Sequence, residues 1–300
     1  MKQNSVLVPS LVVAISGAIW GLFWIPIRQL DAGGISAAWT SLITFGIAGL
    51  LFLFVFFLQF RKTGRVPWNV FITGLIGGCS IVFYAIGFVL TEVVKTILLI
   101  YLTPIWSIIL GRFMLNEKIT PYRIAAIVCG LAGMIVILEV LNGEFRISNA
   151  GDLIALSAGV LWSLATIGIR KRPEVRVWEQ VGAFYIGGAL VALLFIIFPF
   201  QGLEKPPTLS AVTNSLLWIV IFLVVFVSAI FLVFWGAQRL SPARVGLLLM
   251  TDVVCGVVSA AILAGEPFGW TQVIGVVLIV SAAIIDVFDR IWRSSFKTVK

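Results

Sequence analysis

The sequence predicts an all-α integral membrane protein of ten transmembrane helices in two inverted five-helix repeats. Three observations predict it. The composition is 61% hydrophobic and 11% charged, with a mean hydropathy of +1.13, which no soluble domain of ordinary charge content shows. Uncharged runs between Lys2 and Arg28, Asp31 and Arg61, Arg65 and Glu92, and Lys205 and Arg239 all exceed the ~20 helical residues that cross a hydrocarbon core. Finally, the second half repeats the first. Ile19-Trp20-Gly21-Leu22, leading to Arg28, returns 142 residues later as Leu161-Trp162-Ser163-Leu164, leading to Arg170. Leu115-Asn116-Glu117 returns as Ala264-Gly265-Glu266, and Lys95 as Arg244, both 149 residues later.

Apolar runs read against Gly, Pro and charge place helices near 8–29, 35–60, 68–90, 93–113, 120–141, 150–170, 177–199, 213–238, 242–264 and 269–291. The first run is too long for a signal-peptide core and lacks a convincing small-residue cleavage site, so it is kept as helix 1. The uncharged intervals named above enclose helices 2, 3 and 8 and all but the last two residues of helix 1. Helix 4 has only the short stretch from Lys95 to Arg112, interrupted by Pro104, and is supported by its repeat partner at 242–264. Residues 1–143 form the first repeat, and 144–300 form the second with a short cytoplasmic tail.

Five helices per repeat is an odd number, so the second repeat enters the membrane upside down relative to the first. With the N-terminus in the cytoplasm, all but four of the 21 Lys and Arg fall in inside loops and tails. Arg28, Lys95, Arg146 and Lys205 are the exceptions. This positive-inside bias predicts a multi-pass protein of an inner or plasma membrane with both termini cytoplasmic. The net charge of +8 therefore acts on topology and does not indicate a nucleic-acid partner.

Histidine is absent and the carboxylates are scattered, which argues against His-based metal sites, His general bases and an integral-membrane enzyme. Cys79, Cys129 and Cys255 lie inside apolar segments and read as small buried side chains. There is no GxxxxGK[ST] loop, and the loops are too short for an ATPase domain. The sequence thus predicts no enzyme, no catalytic residues, no metal and no cofactor. Rings of charge or carbonyls around a pore, which a passive channel needs, are also missing.

In Gly17-Ala18-Ile19-Trp20-Gly21, Gly159-Val160-Leu161-Trp162-Ser163, the spacing from Leu102-Thr103-Pro104 to Glu117, and the following Gly130 and Gly133, the chain resembles the EamA-type carriers of the drug/metabolite transporter superfamily. The likeness covers roughly residues 8 to 291. It implies export or exchange of small metabolites: amino acids in some members, aromatic ones in the YddG-like exporters, and purines, sugars or drugs in others. One departure stands out, because Val253 occupies the place of Pro104 in the second half, with Asp252 just before it. That argues against a symmetric hinge.

Duplicated membrane proteins rock about a site between their halves, so candidate residues are sought within helices. Asp252, near the middle of helix 9, is expensive in a membrane unless it meets water, a partner or a solute. Two roles fit it: binding a solute ammonium or a coupling proton, or a structural hydrogen bond through groups such as Thr251 or Thr103. Trp20, Trp24, Tyr84, Tyr101, Trp162 and Trp235 offer rings with a polar handle to a midplane cavity, or simply pack. Trp20 and Trp162 correspond between the repeats. Pro26 and Pro104 remove backbone hydrogen bonds, giving a gate or a static kink. Lys95 and Arg244, at opposite ends of the pathway, meet an incoming anionic group or snorkel to the interface. Glu117 and Glu266 read as caps or loop ion-pair partners. The pairs Gly17 with Gly21, Gly74 with Gly78, and Gly130 with Gly133 are packing signals.

The expected function is secondary transport of a small-molecule solute, amino acids foremost, with membrane lipid as the other partner. A drug, purine or sugar carrier is the alternative, and a passive channel is further off. The oligomeric state stays open, a monomer included.

Overall fold

The computed structural model describes residues 4–35, 37–63, 68–91, 93–137, 149–197, 206–265 and 268–296. The expected repeat boundary at 143–144, and Lys2, Arg65, Arg146, Lys205, Glu266, Lys297 and Lys300, lie outside the described residues. Among those described, the helices are α1 (Asn4–Gly21), α2 (Trp24–Ala32), α3 (Ala37–Thr63), α4 (Trp68–Leu90), α5 (Val93–Ile100), α6 (Thr103–Leu115), α7 (Pro121–Ile137), α8 (Ala150–Arg170), α9 (Val177–Ile197), α10 (Leu209–Asn214), α11 (Leu216–Ala237), α12 (Pro242–Leu249), α13 (Thr251–Ala264) and α14 (Trp270–Phe296).

Grouped by span, TM1 is α1–α2, TM2 is α3, TM3 is α4, TM4 is α5–α6 and TM5 is α7. TM6 is α8, TM7 is α9, TM8 is α11 with α10 before it, TM9 is α12–α13 and TM10 is α14. Among the described residues, eight spans are long and apolar enough to cross a membrane, and TM5 and TM10 contribute the shorter apolar helices Pro121–Ile137 and Trp270–Asp286. Leu50, Phe54, Ile72, Phe113, Val128, Leu217, Ile262 and Val277 are all exposed. So much outward apolar surface suits hydrocarbon, not water.

TM1, TM4 and TM9 are broken in mid-span, and each break has a local cause. In TM1, Pro26 cannot donate to the Leu22 carbonyl and its ring crowds it. The chain crosses the gap with tight bonds from Leu22 N–H to the Ile19 carbonyl (3.1 Å) and from Phe23 N–H to that of Trp20 (3.0 Å). In TM4, Pro104 does the same to Ile100, whose freed carbonyl accepts from Thr103 Oγ1 at 2.5 Å. TM9 has no proline here, yet it breaks at Met250, the position that corresponds to Tyr101. The hydroxyl of Thr251 is shared between the Leu248 and Ala14 carbonyls, at 2.8 Å from each, and such back-bonding bends helices. The break is therefore symmetric although the proline is not.

The repeat is visible at the helix ends too. α6 closes on Asn116 (φ 53°) and α13 on Gly265 (φ 69°), both left-handed caps whose N–H reaches back five residues, to Gly111 and Ala260.

Close helix pairs rest on small residues, because lipid supplies no apolar drive to bring helices together. A Cβ on Gly74 would strike the Ala183 backbone and one on Gly78 that of Gly188, fastening TM3 to TM7. Gly133 and Gly275 face each other between TM5 and TM10, where a Cβ on either would stand 2.7 Å from the other's carbonyl oxygen. Gly17 lies against Thr251 at the TM9 break, and its counterpart Gly159 against Ile100 at the TM4 break.

Candidate functional site

The TM4 and TM9 breaks meet. Tyr101 sits in the turn between α5 and α6, and Asp252 in the first turn of α13. The Tyr101 hydroxyl donates to Asp252 Oδ2, so a contact of 151 residues' separation ties one repeat to the other. Tyr84 of TM3 is within electrostatic reach of both. Asp252 Oδ1 is enclosed and has no hydrogen-bond partner among the described residues. A carboxylate is tolerable here for two reasons: the exposed N–H groups of a helix start favour negative charge, and a phenolic donor satisfies one oxygen.

TM1 closes one side. A Cβ on Gly21 would run into the Asp252 carbonyl oxygen and stand 2.7 Å from the Cys255 Cβ. Toward the end of TM1 that bears Arg28, Trp24 Nε1 donates to Ser259 Oγ at 2.9 Å, and Arg28 lies 5.1 Å from the Trp24 ring centre. Trp20 packs on Phe226 and Phe23, with ring centres 4.3 and 5.6 Å away, and its enclosed Nε1 has no partner.

Of the residues singled out in the sequence, Tyr84, Tyr101 and Asp252 come together, with Trp20 and Trp24 on the adjoining helix. Trp162 and Trp235 are elsewhere. Trp162 is buried against Phe184 and Phe234, in the cluster that joins TM1, TM2, TM6, TM7, TM8 and TM9. Trp235 lies at the end of α11 beneath the Arg239 guanidinium, 4.1 Å from its ring centre. The hydroxyls of Thr103 and Thr251 serve backbone carbonyls, so Tyr101 is the residue that holds Asp252. Lys95 stands on α5, six residues before Tyr101. Pro26 and Pro104 sit one helical turn beyond the gaps they cause.

Arg244 is 3% exposed and forms an ion pair with Asp286, equally buried, donating to both its carboxylate and its carbonyl. Arg123 of TM5 adds a longer contact to Asp286 (3.9 Å), bonds to Glu117 (3.2 Å) and donates to Ser241 (3.1 Å). TM5, TM9 and TM10 are thereby pinned at one end of the bundle. At the same end Arg170 donates to the Gln238 carbonyl (2.5 Å), and Gln238 bonds to Gln180 and Val175. Asp286 and Ser259 were missed in the sequence. Ser259 follows Asp252 by seven residues, two turns along one face, which is a usable signal. Asp286 is a carboxylate where the repeat places Ile137, which is another.

The profile of the EamA-like transporter family matches residues 8–139 and again 149–287. The chain belongs to the EamA-like transporter family. The two matches divide this EamA-like chain much as its internal repetition does. A probable amino-acid metabolite efflux pump of Salmonella typhimurium is 28% identical over 268 residues, covering 83% of this chain and 87% of that one. Its namesake in Escherichia coli is 26% identical, covering 84% and 88%. The aromatic amino acid exporter YddG of Ancylobacter novellus is 29% identical over 138 residues, 45% of this chain and 48% of its own. A solved crystal structure aligns with a TM-score of 0.73 at 21% identity, covering 95% of this chain and 97% of its own, and shares this fold.

Proposed function

We propose that this multi-pass membrane protein is a secondary carrier that exports or exchanges small amino metabolites, amino acids and aromatic ones among them, by alternating access between its two repeats. It sits in a bacterial-type inner or plasma membrane with both termini cytoplasmic, driven by a solute or ion gradient, and releases its solute chemically unchanged. One observation carries the reading: the Tyr101–Asp252 contact, which joins the mid-span break of one repeat to that of the other and leaves a carboxylate oxygen unpaired. Broken helices meeting at a repeat interface are where carriers bind solutes. The names of the two efflux pumps and the exporter support the solute class.

In this orientation the pins at Arg123, Arg244 and Asp286 close the cytoplasmic end, and Trp24, Ser259 and Arg28 line the route outward. Lys95 stands near the outer end of the same route.

Counterflow in proteoliposomes tests the reading. Uptake of a labelled amino acid should saturate with concentration and accelerate when the same solute is loaded inside. Linear uptake without acceleration would contradict a carrier and favour a channel.

A further inference from the structure

Within that class, the charge around Asp252 decides which amino metabolites fit. Among the described residues the site offers a carboxylate oxygen without a hydrogen-bond partner, and no cation is paired with it. The groups among those residues that interact with Asp252 are the Tyr101 and Tyr84 hydroxyls, the Cys255 thiol and the Val253 backbone, none of them a cation. The cation nearest in sequence on TM9, Arg244, is committed to Asp286 within the bundle. Arg28 lies over Trp24, beyond Ser259, seven residues or about 10 Å along the helix from Asp252. Lys95, six residues before Tyr101, stands on the order of 9 Å along TM4.

An ammonium group therefore finds its counter-charge at Oδ1. A carboxylate two bonds from that ammonium enters the field of Asp252, where the neighbouring Tyr101 and Tyr84 hydroxyls are neutral. In a site shielded from water, neutral donors do not offset a full charge held beside a like charge. Tyr84, Tyr101, Trp20 and Trp24 meanwhile favour an aromatic or large apolar body.

We infer that the solute is an amine whose carboxyl is masked or absent, such as an amino-acid amide, ester or decarboxylated amine, in preference to the zwitterionic amino acid. This inference rests on the reading that Asp252 lines the solute path.

The test is a tryptophan-fluorescence titration of the purified full chain with L-phenylalanine, L-phenylalaninamide and 3-phenylpropionate. Wild type is compared with Asp252→Asn and Asp252→Glu, and folding is monitored by size exclusion. The amide should bind about tenfold or more tightly than the amino acid, a margin of one decade in affinity, and 3-phenylpropionate should not saturate. Asp252→Asn should erase the preference and Asp252→Glu should keep it. Equal or tighter binding of phenylalanine overturns the inference, as does an amide affinity indifferent to Asp252→Asn. If phenylalanine is the tighter ligand and still shows counterflow, the carrier reading stands without the inference. If no ligand binds and no amino metabolite moves, both fall.

Discussion

Tyr101 satisfies one oxygen of Asp252 and leaves the other open, so its hydroxyl sets how much of the carboxylate is available. Tyr101→Phe removes that donor inside the bundle. Leaving a buried acceptor without its partner costs about 1–3 kcal/mol, and a melting curve in detergent should show a loss of that order. That Asp252 needs a partner was legible in the sequence, because a carboxylate in mid-span is costly. Its partner was not. The sequence offered Thr251 and Thr103, close along the chain or at the matching position. Their hydroxyls instead mend the two helix breaks, and the phenol that reaches Asp252 comes from the other repeat. Every helix here is apolar nearly all round, so no periodicity tells which face meets which neighbour.

At the scale of elements, TM3 (68–90) and TM6 (150–170) lie where charge and Gly punctuation put them, since nothing interrupts them. TM4 and TM9 differ. Pro104 announced the TM4 break, whereas the TM9 break comes from a threonine hydroxyl that no breaker rule flags. Pro104→Ala restores an N–H for Ile100 in competition with Thr103. Counterflow by this variant should turn over several-fold more slowly with little change in half-saturating concentration, if the break is where the span flexes. Gly78 makes a separate prediction. Its backbone touches that of Gly188, so Gly78→Val must part TM3 from TM7. The expected destabilisation is about 1–3 kcal/mol or more, read as a lower melting temperature.

Across the whole molecule, the repeat is near-symmetric in its breaks and caps but asymmetric in charge. The Arg244–Asp286 ion pair has Lys95 and Ile137 at the corresponding positions, so the first repeat does not reproduce that pair. The sequence had Arg244 either meeting an anionic group from solution or snorkelling to the interface. The structure supplies that group from TM10, a long-range pairing that spacing does not reveal. Asp286→Asn leaves a buried guanidinium uncompensated and should cost on the order of 3–5 kcal/mol, while Arg244→Leu with Asp286→Leu should recover most of it. Thermal unfolding of the three chains side by side checks this. A single variant as stable as wild type would show that the pair does not hold TM9 to TM10.

The central claim is that solute binds at the Asp252 carboxylate where the two repeats cross. Its most direct test is the concentration dependence of counterflow in proteoliposomes for wild type and Asp252→Asn, each reconstituted at equal folded amount, using an amino metabolite that wild type moves. The account predicts a half-saturating concentration raised about tenfold or more in the variant, the loss of one charge-assisted contact. Superimposable saturation curves would place the solute elsewhere.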